Sequence, residues 1–507
     1  MPTPLSFSYT IGLEIHTQLA TRSKMFCSCS NTAETEEPNA AVCSICLGHP
    51  GVLPVTNQEA VAMGIRAGLA LNCAINEYSS FDRKNYFYPD LPKGYQITQY
   101  DLPIAINGYL DITLPQDAHD DAREQFHVRI NRLHLEEDAA KNSHIPGYTL
   151  VDYNRGGSPL AEIVTEPDLK SPGEAKAFLQ ELRRIIRYVE VSDGDMEKGH
   201  MRCDANVSIQ FEDNGVMVSS PITEIKNLNS FRSVEAALTY EAQRLYDDWM
   251  VGGESRMRTA KVTVGWDDVK SVTIVQRSKE EAHDYRYFPE PDLPPLYTPE
   301  NVVQEFRASL PELPGAKRVR FVEEYGVSLV DARTLTEEKE TAKFFEQAAS
   351  ELAEWLESND MHGEENVTKG YKLLSSWFIN KLSALLTVHA TSLAECRITP
   401  ENFAEFVSLV MKGVVNSTNA QVLLEEMLVT GAEPDHIIAE KGLAQVSDES
   451  FIREACQKVI DANEKVAAEY KAGKENAIMF LVGQVMKESK GTAQPQMVKE
   501  TLMGMLK

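Results

Sequence analysis

The sequence predicts an α+β protein, in which a strand-rich first part is followed by helices. Up to about residue 295 several segments alternate apolar and polar residues, the period of a half-buried strand. From about residue 296 onward the apolar residues recur with the helical period, as in TAKFFEQAASELAEWLES. A length of 507 residues is too great for one hydrophobic core, so we expect two or three domains.

Two stretches carry the strand prediction. In IGLEIHTQL, Leu13 and Ile15 alternate with Glu14 and His16. In RCDANVSIQF, the odd-numbered residues of 203–209 are apolar and their neighbours are polar. Each pattern predicts a strand with one buried and one polar face.

Between these strands the segment SPGEAKAFLQELRRIIRYVEV predicts a helix. Ser171 is a suitable N-cap, Pro172 suits the first helical position, and Glu174 completes a capping box. Apolar residues then recur at helical spacing from Phe178 to Val189.

Domain limits are predicted from changes of composition. The Pro-rich run DYRYFPEPDLPPLYTPE cannot continue a helix or a central strand, so we interpret it as an interdomain connection. A second boundary is predicted near GVVNSTNAQ. The predicted domains are 1–295, with a mixed α/β character, and two helical domains, 296–418 and 419–507.

The overall charge and hydropathy exclude some classes of protein. A formal net charge of −26 argues against a general nucleic-acid coat, but a local basic strip can still bind RNA within a Debye length of about 8–10 Å. No apolar run is long enough to span a membrane. The first residues show neither a signal peptide nor a transit peptide, so we expect a cytoplasmic protein without a membrane partner.

The stretch FHVRINRLHLEED changes the parity of its apolar residues. Val128 and Ile130 are even-numbered, whereas Leu133 and Leu135 are odd-numbered. A β-bulge near Asn131 would explain the change. Beyond the bulge, Glu137 shares the face of these two leucines and is predicted to point toward the interior or a cleft.

Other predicted strands carry further acids and one histidine. Convergent carboxylates about 4 Å apart would repel one another by roughly 4 kcal/mol at an effective dielectric constant of 20, so such a cluster needs cations. Oxygen donors with one imidazole suit Mg²⁺ or Mn²⁺, often together with nucleotide phosphates. The alternative is that each acid lies on the solvated face of an antiparallel sheet. The candidates are Glu14, His16, Glu137, Glu162, Asp204 and Glu224.

Basic residues near these segments are candidates for binding phosphates. Arg155 precedes two glycines, a flexible turn whose backbone amides can approach an anion. Neither a Walker A loop nor a G-x-G-x-x-G motif is present, which argues against an ordinary P-loop or Rossmann site. Each cation could equally be an ordinary surface residue. The candidates are Arg83, Lys84, Arg155, Lys198, Arg202, Lys226 and Arg286.

Four cysteines have the spacing of a metal site. Cys27, Cys29, Cys43 and Cys46 form the pattern C-x-C-x13-C-x2-C. Two close pairs of thiolates suit a closed tetrahedral Zn²⁺ site, which would be structural because it leaves no open ligand position.

Several of these motifs together resemble the B subunits of the tRNA-dependent aspartyl/glutamyl amidotransferases, the GatB family. They include IGLEIHTQL, FDRKNYFYPDLPKGYQI, RLHLEEDAAK, DYNRGGSPLAEIVTEPD, MRCDANVSI and DYRYFPEPDLPPL. The resemblance implies a cradle domain with a central antiparallel sheet, then a helical domain and a small helical tail of the YqeY type. The tail would bind the tRNA body through lysines such as Lys471, Lys474, Lys487 and Lys490.

The resemblance also implies an activity. Proteins of this family use ATP and Mg²⁺ to phosphorylate the side-chain carboxylate of Glu-tRNA(Gln) or Asp-tRNA(Asn), and ammonia from a separate glutaminase (amidase) subunit then displaces the phosphate. A small third subunit completes the heterotrimer. By motif position, the five acids and the histidine above would hold Mg²⁺, with Glu137 as a ligand and Glu136 and Asp138 in support. The seven cations would contact phosphates or the tRNA end, and the four cysteines would hold zinc.

Two other functions remain open from the sequence. One is a stand-alone ATP-dependent carboxylate–amine ligase that takes free ammonia. The other is a tRNA-binding adaptor without chemistry. The sequence also leaves open whether Glu-tRNA, Asp-tRNA or both are processed.

Overall fold

The structure is a computed structural model, and it describes 7–31, 35–115, 121–252, 261–278, 285–359, 361, 363–445, 449–471, 474, 476–489 and 492–506. The chain divides into two compact units, Met1–Gly315 and Ala316–Lys507. The first combines strands and helices and the second is helical, so the predicted α+β class is confirmed.

The first unit contains a large sheet. Its strands and those of the neighbouring small sheets are β1 (Ser8–Gln18), β2 (Ala74–Ile75), β3 (Tyr78–Ser79), β4 (Asp82–Asn85), β5 (Tyr95–Thr98), β6 (Ala105–Thr113), β7 (Gln125–Glu137), β8 (Lys141–Ile145), β9 (Tyr148–Asp152), β10 (Pro159–Thr165), β11 (Met201–Asp213), β12 (Val216–Ser219), β13 (Thr223–Leu228), β14 (Val262–Asp267), β15 (Val272–Ser278), β16 (Phe288–Pro289) and β17 (Leu296–Tyr297). Its helices are α1 (Gln58–Ala70), α2 (Pro172–Tyr188), α3 (Phe231–Gly252) and α4 (Glu300–Ser309).

The main sheet has the order β15-β14-β13-β11-β1-β10-β7-β5-β4-β16. Its neighbouring strands pair antiparallel, except that β13 and β14 are parallel. The predicted strands in IGLEIHTQL and RCDANVSIQF are confirmed as β1 and β11, and they are adjacent in the sheet.

The two faces of this sheet differ in polarity. Leu13, Ile15, Leu133 and Ile163 are at most 1% exposed and belong to one apolar core, which also includes residues of α1, α2 and α3. Because side chains alternate along each strand, the intervening polar residues project from the opposite face. The sheet therefore presents one polar face.

The predicted bulge in β7 is confirmed. Along β10, Val164 pairs with Arg132 and Thr165 pairs with Ile130, so Asn131 has no partner on that strand. The extra residue keeps Ile130 and Leu133 on the buried face, although their numbers differ in parity.

The N-terminus of α2 follows the prediction in part. The Ser171 hydroxyl accepts the Glu174 amide at 3.1 Å, which confirms the N-cap. The Glu174 carboxylate, however, accepts the Lys170 amide at 2.8 Å and also binds Arg123. Glu174 therefore accepts the amide of Lys170, one residue before the Ser171 amide that a capping box would use.

The Pro-rich segment lies within the first unit rather than between units. β16 pairs with β4, β17 pairs with β3, and Val303 of α4 joins the core of the first unit. Proline is tolerated there because β16 ends the sheet, where an amide is not needed for pairing.

The second unit consists of helices, and a π-helical turn at Phe378–Leu382 separates two of them. Its apolar side chains form two clusters, one between Phe321 and Ile438 and the other between Ile452 and Leu506. Among the described residues, no helix is long and apolar enough to cross a membrane. The helices are α5 (Pro314–Tyr325), α6 (Leu329–Leu335), α7 (Lys339–Ser358), α8 (Glu364–Trp377), α9 (Ser383–Val388), α10 (Pro400–Met411), α11 (Ser417–Thr430), α12 (Pro434–Lys441), α13 (Glu449–Ala462), α14 (Glu464–Lys471), α15 (Ala477–Glu488) and α16 (Pro495–Leu506).

Candidate active site

The polar face of the sheet brings together side chains from five adjacent strands. On β1, Glu14 is opposite Asp204 of β11, and His16 is opposite Glu162 of β10. β13 adds Glu224 at the outer side of β11. The backbone ladder thus sets the spacing of these side chains before any ligand binds.

A cluster of one histidine and two carboxylates lies at the centre of this face. The His16 Nε2 atom lies 3.2 Å from a Glu162 oxygen and 3.5 Å from a Glu136 oxygen. One ligand atom from each of the three residues lies within 4.8 Å of the other two. His134 Nε2 approaches the same Glu162 oxygen at 3.3 Å. Glu162 is therefore held between two imidazoles.

Charge and burial shift the pKa values in this cluster. Burial lowers the pKa of His16, but the hydrogen bond and charge of Glu162, with the charge of Glu136, outweigh it and raise that pKa to about 9. Burial and the Glu162 charge raise the pKa of Glu136. Burial also opposes ionisation of Glu162, but His134 and His16 lower its pKa well below the usual range. The cluster therefore favours a cation among its oxygens.

A second group of acids lies beside the first on the same face. The Lys226 ammonium contacts Asp204 and lies 3.1 Å from a Glu224 oxygen. Asn206 donates to Glu14 at 3.0 Å, and the Thr263 hydroxyl donates to Glu224 at 3.0 Å. Of the predicted metal ligands, Asp204 and Glu224 thus gather around Lys226 rather than around His16, and Glu14 is bound by Asn206.

Glu137 lies on the other face of β7, as its parity predicts, and the structure does not bring it to His16. Its carboxylate lies 2.6 Å from Lys93 Nζ and accepts the Ile97 amide at 3.0 Å. It lines a small cavity of about 90 Å³ together with Lys24, Cys46 and other residues of the cysteine segment. Of the two adjacent acids of β7, Glu136 rather than Glu137 faces His16, although the sequence assigned Glu136 only a supporting role.

The predicted cations have different surroundings. Arg83 makes a bidentate pair with buried Glu290 at 2.7 and 2.8 Å, and Lys84 lies 5.0 Å from the Tyr285 ring. Arg202 and Arg155 both bind Asp138, at 2.7 and 3.3 Å.

Two further predicted cations lie at the surface. Lys198 is more than half exposed and lies 3.5 Å from Asp195. Arg286 is exposed and has a left-handed backbone with φ 46°. Lys84, Arg202 and Lys226 are the predicted cations whose charge acts directly on the acids of the polar face.

The four predicted cysteines converge. Their sulfurs lie within 4.8 Å of one another, and the Cys43 and Cys46 sulfurs are 3.9 Å apart. A hydrogen bond from Cys27 lowers the pKa of Cys46 to about 4, helped by the Cys43 amide and the Lys24 charge against the effect of burial. Four sulfurs at this spacing fit a tetrahedral metal ion.

Sequence reasoning did not assign three residues to the centre of the site. His134 and Glu136 alternate with Leu133 and Leu135, so β7 parity alone places both on the polar face. Tyr287 lies beside these acids, and burial together with the charges of Glu136 and Glu162 raises its pKa. Tyr287 comes from the Pro-rich segment, and no local pattern connects that segment to β7.

Comparison with known proteins agrees with this architecture. Residues 9–304 match the GatB/GatE catalytic domain and residues 363–506 match the GatB domain. The B subunit of the aspartyl/glutamyl-tRNA(Asn/Gln) amidotransferase of Carboxydothermus hydrogenoformans is 45% identical over 504 residues, covering 98% of each chain. That of Thermodesulfovibrio yellowstonii is 45% identical, covering 99% of this chain and 100% of its own. That of Thermotoga maritima is 44% identical, covering 98% of each. The chain belongs to the GatB/GatE family.

Proposed function

We propose that this chain is the ATP-dependent B subunit of a tRNA-dependent amidotransferase. It would phosphorylate the side-chain carboxylate of Glu-tRNA(Gln), Asp-tRNA(Asn) or both, and the phosphate would then be displaced by ammonia. The observation that carries the proposal is the cluster of His16, Glu136 and Glu162 on the polar face of the sheet. The names of the relatives, which cover nearly the whole chain, support it.

The chemistry explains why ATP is needed. A carboxylate is a poor acyl electrophile, because its leaving group would be oxide. Transfer of the γ-phosphoryl group to the carboxylate gives an acyl phosphate and ADP, and attack by ammonia gives the amide and releases phosphate. Phosphoryl transfer depends mainly on positioning and on neutralising charge.

The donor atoms of the polar face fit Mg²⁺. Two carboxylates and an imidazole lie close enough to share one ion, and Glu14, Asp204 and Glu224 offer further oxygens beside them. When bound, Mg²⁺ would neutralise the phosphates of ATP. Glu136 is the proposed Mg²⁺ ligand of β7, and Glu137 is the alternative. Glu137 is the second choice because Lys93 and the Ile97 amide already bind its carboxylate.

Three cations of the chain are suited to hold phosphate oxygens. Lys226 can exchange Asp204 for a phosphate, and Arg202 and Lys84 add positive charge near Glu136. We assign Arg83 and Arg155 to holding loops, because the buried Glu290 carboxylate binds Arg83 and the Arg155 guanidinium also donates to the Ala139 carbonyl at 3.2 Å. Lys198 and Arg286, both at the surface, are proposed to contact the tRNA end.

We further propose a structural Zn²⁺ at Cys27, Cys29, Cys43 and Cys46. The convergence of four sulfurs supports it, and a closed set of thiolates leaves no position for a substrate. Residues 1–295, 296–418 and 419–507 are proposed as the cradle, a helical domain and a tRNA-binding tail.

The proposed enzyme is a cytoplasmic heterotrimer. A glutaminase (amidase) subunit would supply ammonia, and a small third subunit would join the complex. The substrate would be a misacylated tRNA.

The test is reconstitution with the glutaminase and the small third subunit, glutamine, Mg²⁺ and γ-labelled ATP. Phosphate release that requires Glu-tRNA(Gln) or Asp-tRNA(Asn), with formation of the amidated product, is the expected result. A stand-alone ligase would consume ATP with free glutamate and ammonia. An adaptor would bind tRNA but would show no ATP turnover in any combination.

A further inference from the structure

Lys24 is a fully buried lysine beside the four cysteines. Its exposed fraction is 0%. In the described part of the chain its ammonium has two polar partners, the Tyr153 carbonyl oxygen at 3.2 Å and the Cys46 sulfur at 3.9 Å. A buried charge is costly unless it is paired, so this ammonium requires a nearby anion.

The buried carboxylate that lines the same cavity does not meet that requirement. Glu137 lines the same cavity, but Lys93 binds its carboxylate at 2.6 Å and the Ile97 amide donates to it at 3.0 Å. Among the ion pairs of the described residues, none joins Lys24 to an acid. The remaining source of negative charge is the group of four sulfurs.

The backbone also fixes Lys24 to both pairs of cysteines. Its amide donates to the Cys29 carbonyl at 3.0 Å, while its ammonium reaches Cys46 of the other pair. The lysine stem packs beside Gly157 and Cys46, since a Cβ atom at Gly157 would lie at ordinary contact distance, 3.4 Å from Lys24 Cδ and 3.6 Å from Cys46 Cβ. The position of the ammonium is therefore set by the fold.

We propose that Lys24 is the counter-ion of the metal–thiolate centre and sets how tightly that centre holds its metal. The inference rests on the proposed zinc site. A divalent ion with four thiolates has a net charge of 2−, and an adjacent buried ammonium reduces it by one. Metal binding and the charge of Lys24 then stabilise each other, because each supplies the charge that the other lacks.

The test is a zinc affinity measurement on the full chain by competition with a chromophoric chelator. Lys24→Met removes the charge and keeps most of the side-chain volume. We expect about 10- to 100-fold weaker zinc binding, the range seen when groups that support metal ligands are lost. Lys24→Arg keeps the charge and should retain more of the affinity than Lys24→Met. Lys93→Met, which removes the other lysine of the cavity, should leave zinc affinity unchanged.

Thermal unfolding of the metal-free and zinc-bound forms gives a second readout. Without metal, Lys24→Met should change the unfolding temperature less than it does with zinc, because the metal-free site carries fewer thiolates for the ammonium to balance. With zinc it should unfold at a lower temperature. Equal zinc affinity and an equal zinc-induced shift for the two proteins would overturn the role of Lys24. Absence of zinc binding by the natural sequence would instead overturn the zinc site itself.

Discussion

Glu136 and Glu137 are adjacent on β7, but replacing each by glutamine should affect different properties, catalysis in one case and stability in the other. Glu136 faces His16 at 3.5 Å, whereas Glu137 projects from the other side of β7 toward Lys93. We expect Glu136→Gln to abolish Mg²⁺-dependent phosphorylation with little loss of stability, because it removes one negative charge from a crowded cluster. We expect Glu137→Gln to keep the affinity for Mg²⁺ and ATP and to destabilise the fold.

The size of the second effect follows from burial. The side chains of Glu137 and Lys93 are 3% and 13% exposed, and their charged atoms lie 2.6 Å apart. Removing one partner of a buried pair costs about 3–5 kcal/mol, and the slight exposure of Lys93 places Glu137→Gln near the lower value, about 3 kcal/mol. The glutamine side-chain oxygen can still accept the hydrogen bond from the Ile97 amide, so the loss of stability measures the ion pair with Lys93.

Three measurements separate these roles. Calorimetric titration gives the affinity for Mg²⁺ and ATP, urea unfolding gives the stability of each variant, and labelled ATP gives turnover. Lys93→Met with Glu137→Gln completes a double-mutant cycle, in which the double variant should lose less than the sum of the two single variants. If Glu137→Gln weakens Mg²⁺ binding and Glu136→Gln does not, the sequence-based assignment of Glu137 as a ligand is correct and the assignment of Glu136 in its place is refuted.

Three further predictions concern other parts of the chain. Burial and the charges of Asp435, Glu433 and Glu401 raise the pKa of Glu405 from 4.5 to about 7. The free energy of unfolding should therefore fall as the pH rises between these values, because the unfolded chain releases this proton more readily than the folded one. Glu405→Gln should therefore stabilise the protein by up to about 3 kcal/mol at pH 8 and have no effect near pH 4, as measured by urea unfolding at both pH values. Ser171→Ala should cost about 1 kcal/mol in the same assay, through loss of the N-cap of α2. A chain ending at residue 445 keeps the first apolar cluster of the helical unit, which extends to Ile438, and removes the second cluster, which forms most of the proposed tRNA-binding tail. It should keep ATP binding and lose salt-dependent tRNA affinity in filter binding.

The sequence predicted those features that depend on local alternation. The parity change around Asn131 gave the bulge and the inward direction of Glu137, and the spacing of the cysteines gave their convergence. The same parity argument places Glu136 with His16, since both alternate with buried residues of their strands. The assignment of Glu137 to Mg²⁺ rested on its inward parity at the strand end as well as on the family resemblance, whereas the acids that meet His16 lie on the polar face.

Features that depend on distant segments could not be predicted. Arg83 is a plausible phosphate ligand in the sequence, but its partner Glu290 is 207 residues away. The same segment brings Tyr287 to the acids of the site. Its prolines indicate an irregular segment, yet pairing at the edge of a sheet leaves no periodic signal in so short a run. Contact between such segments is decided by tertiary packing.

The end of β7 connects the two sides of the sheet. Its neighbours hold it firmly, because Gln96 donates to the Glu137 carbonyl at 2.8 Å and the Asp138 amide donates to the Ser158 carbonyl at 2.8 Å. Glu136 then cannot move relative to His16 without moving the Glu137–Lys93 pair on the other face. A backbone fixed in this way holds the carboxylates of the cluster close together, so little reorganisation would be needed in the phosphoryl transfer proposed above. The packing of the apolar face, where Leu133 and Leu135 are fully buried, offsets the unfavourable energy of repulsion between these carboxylates.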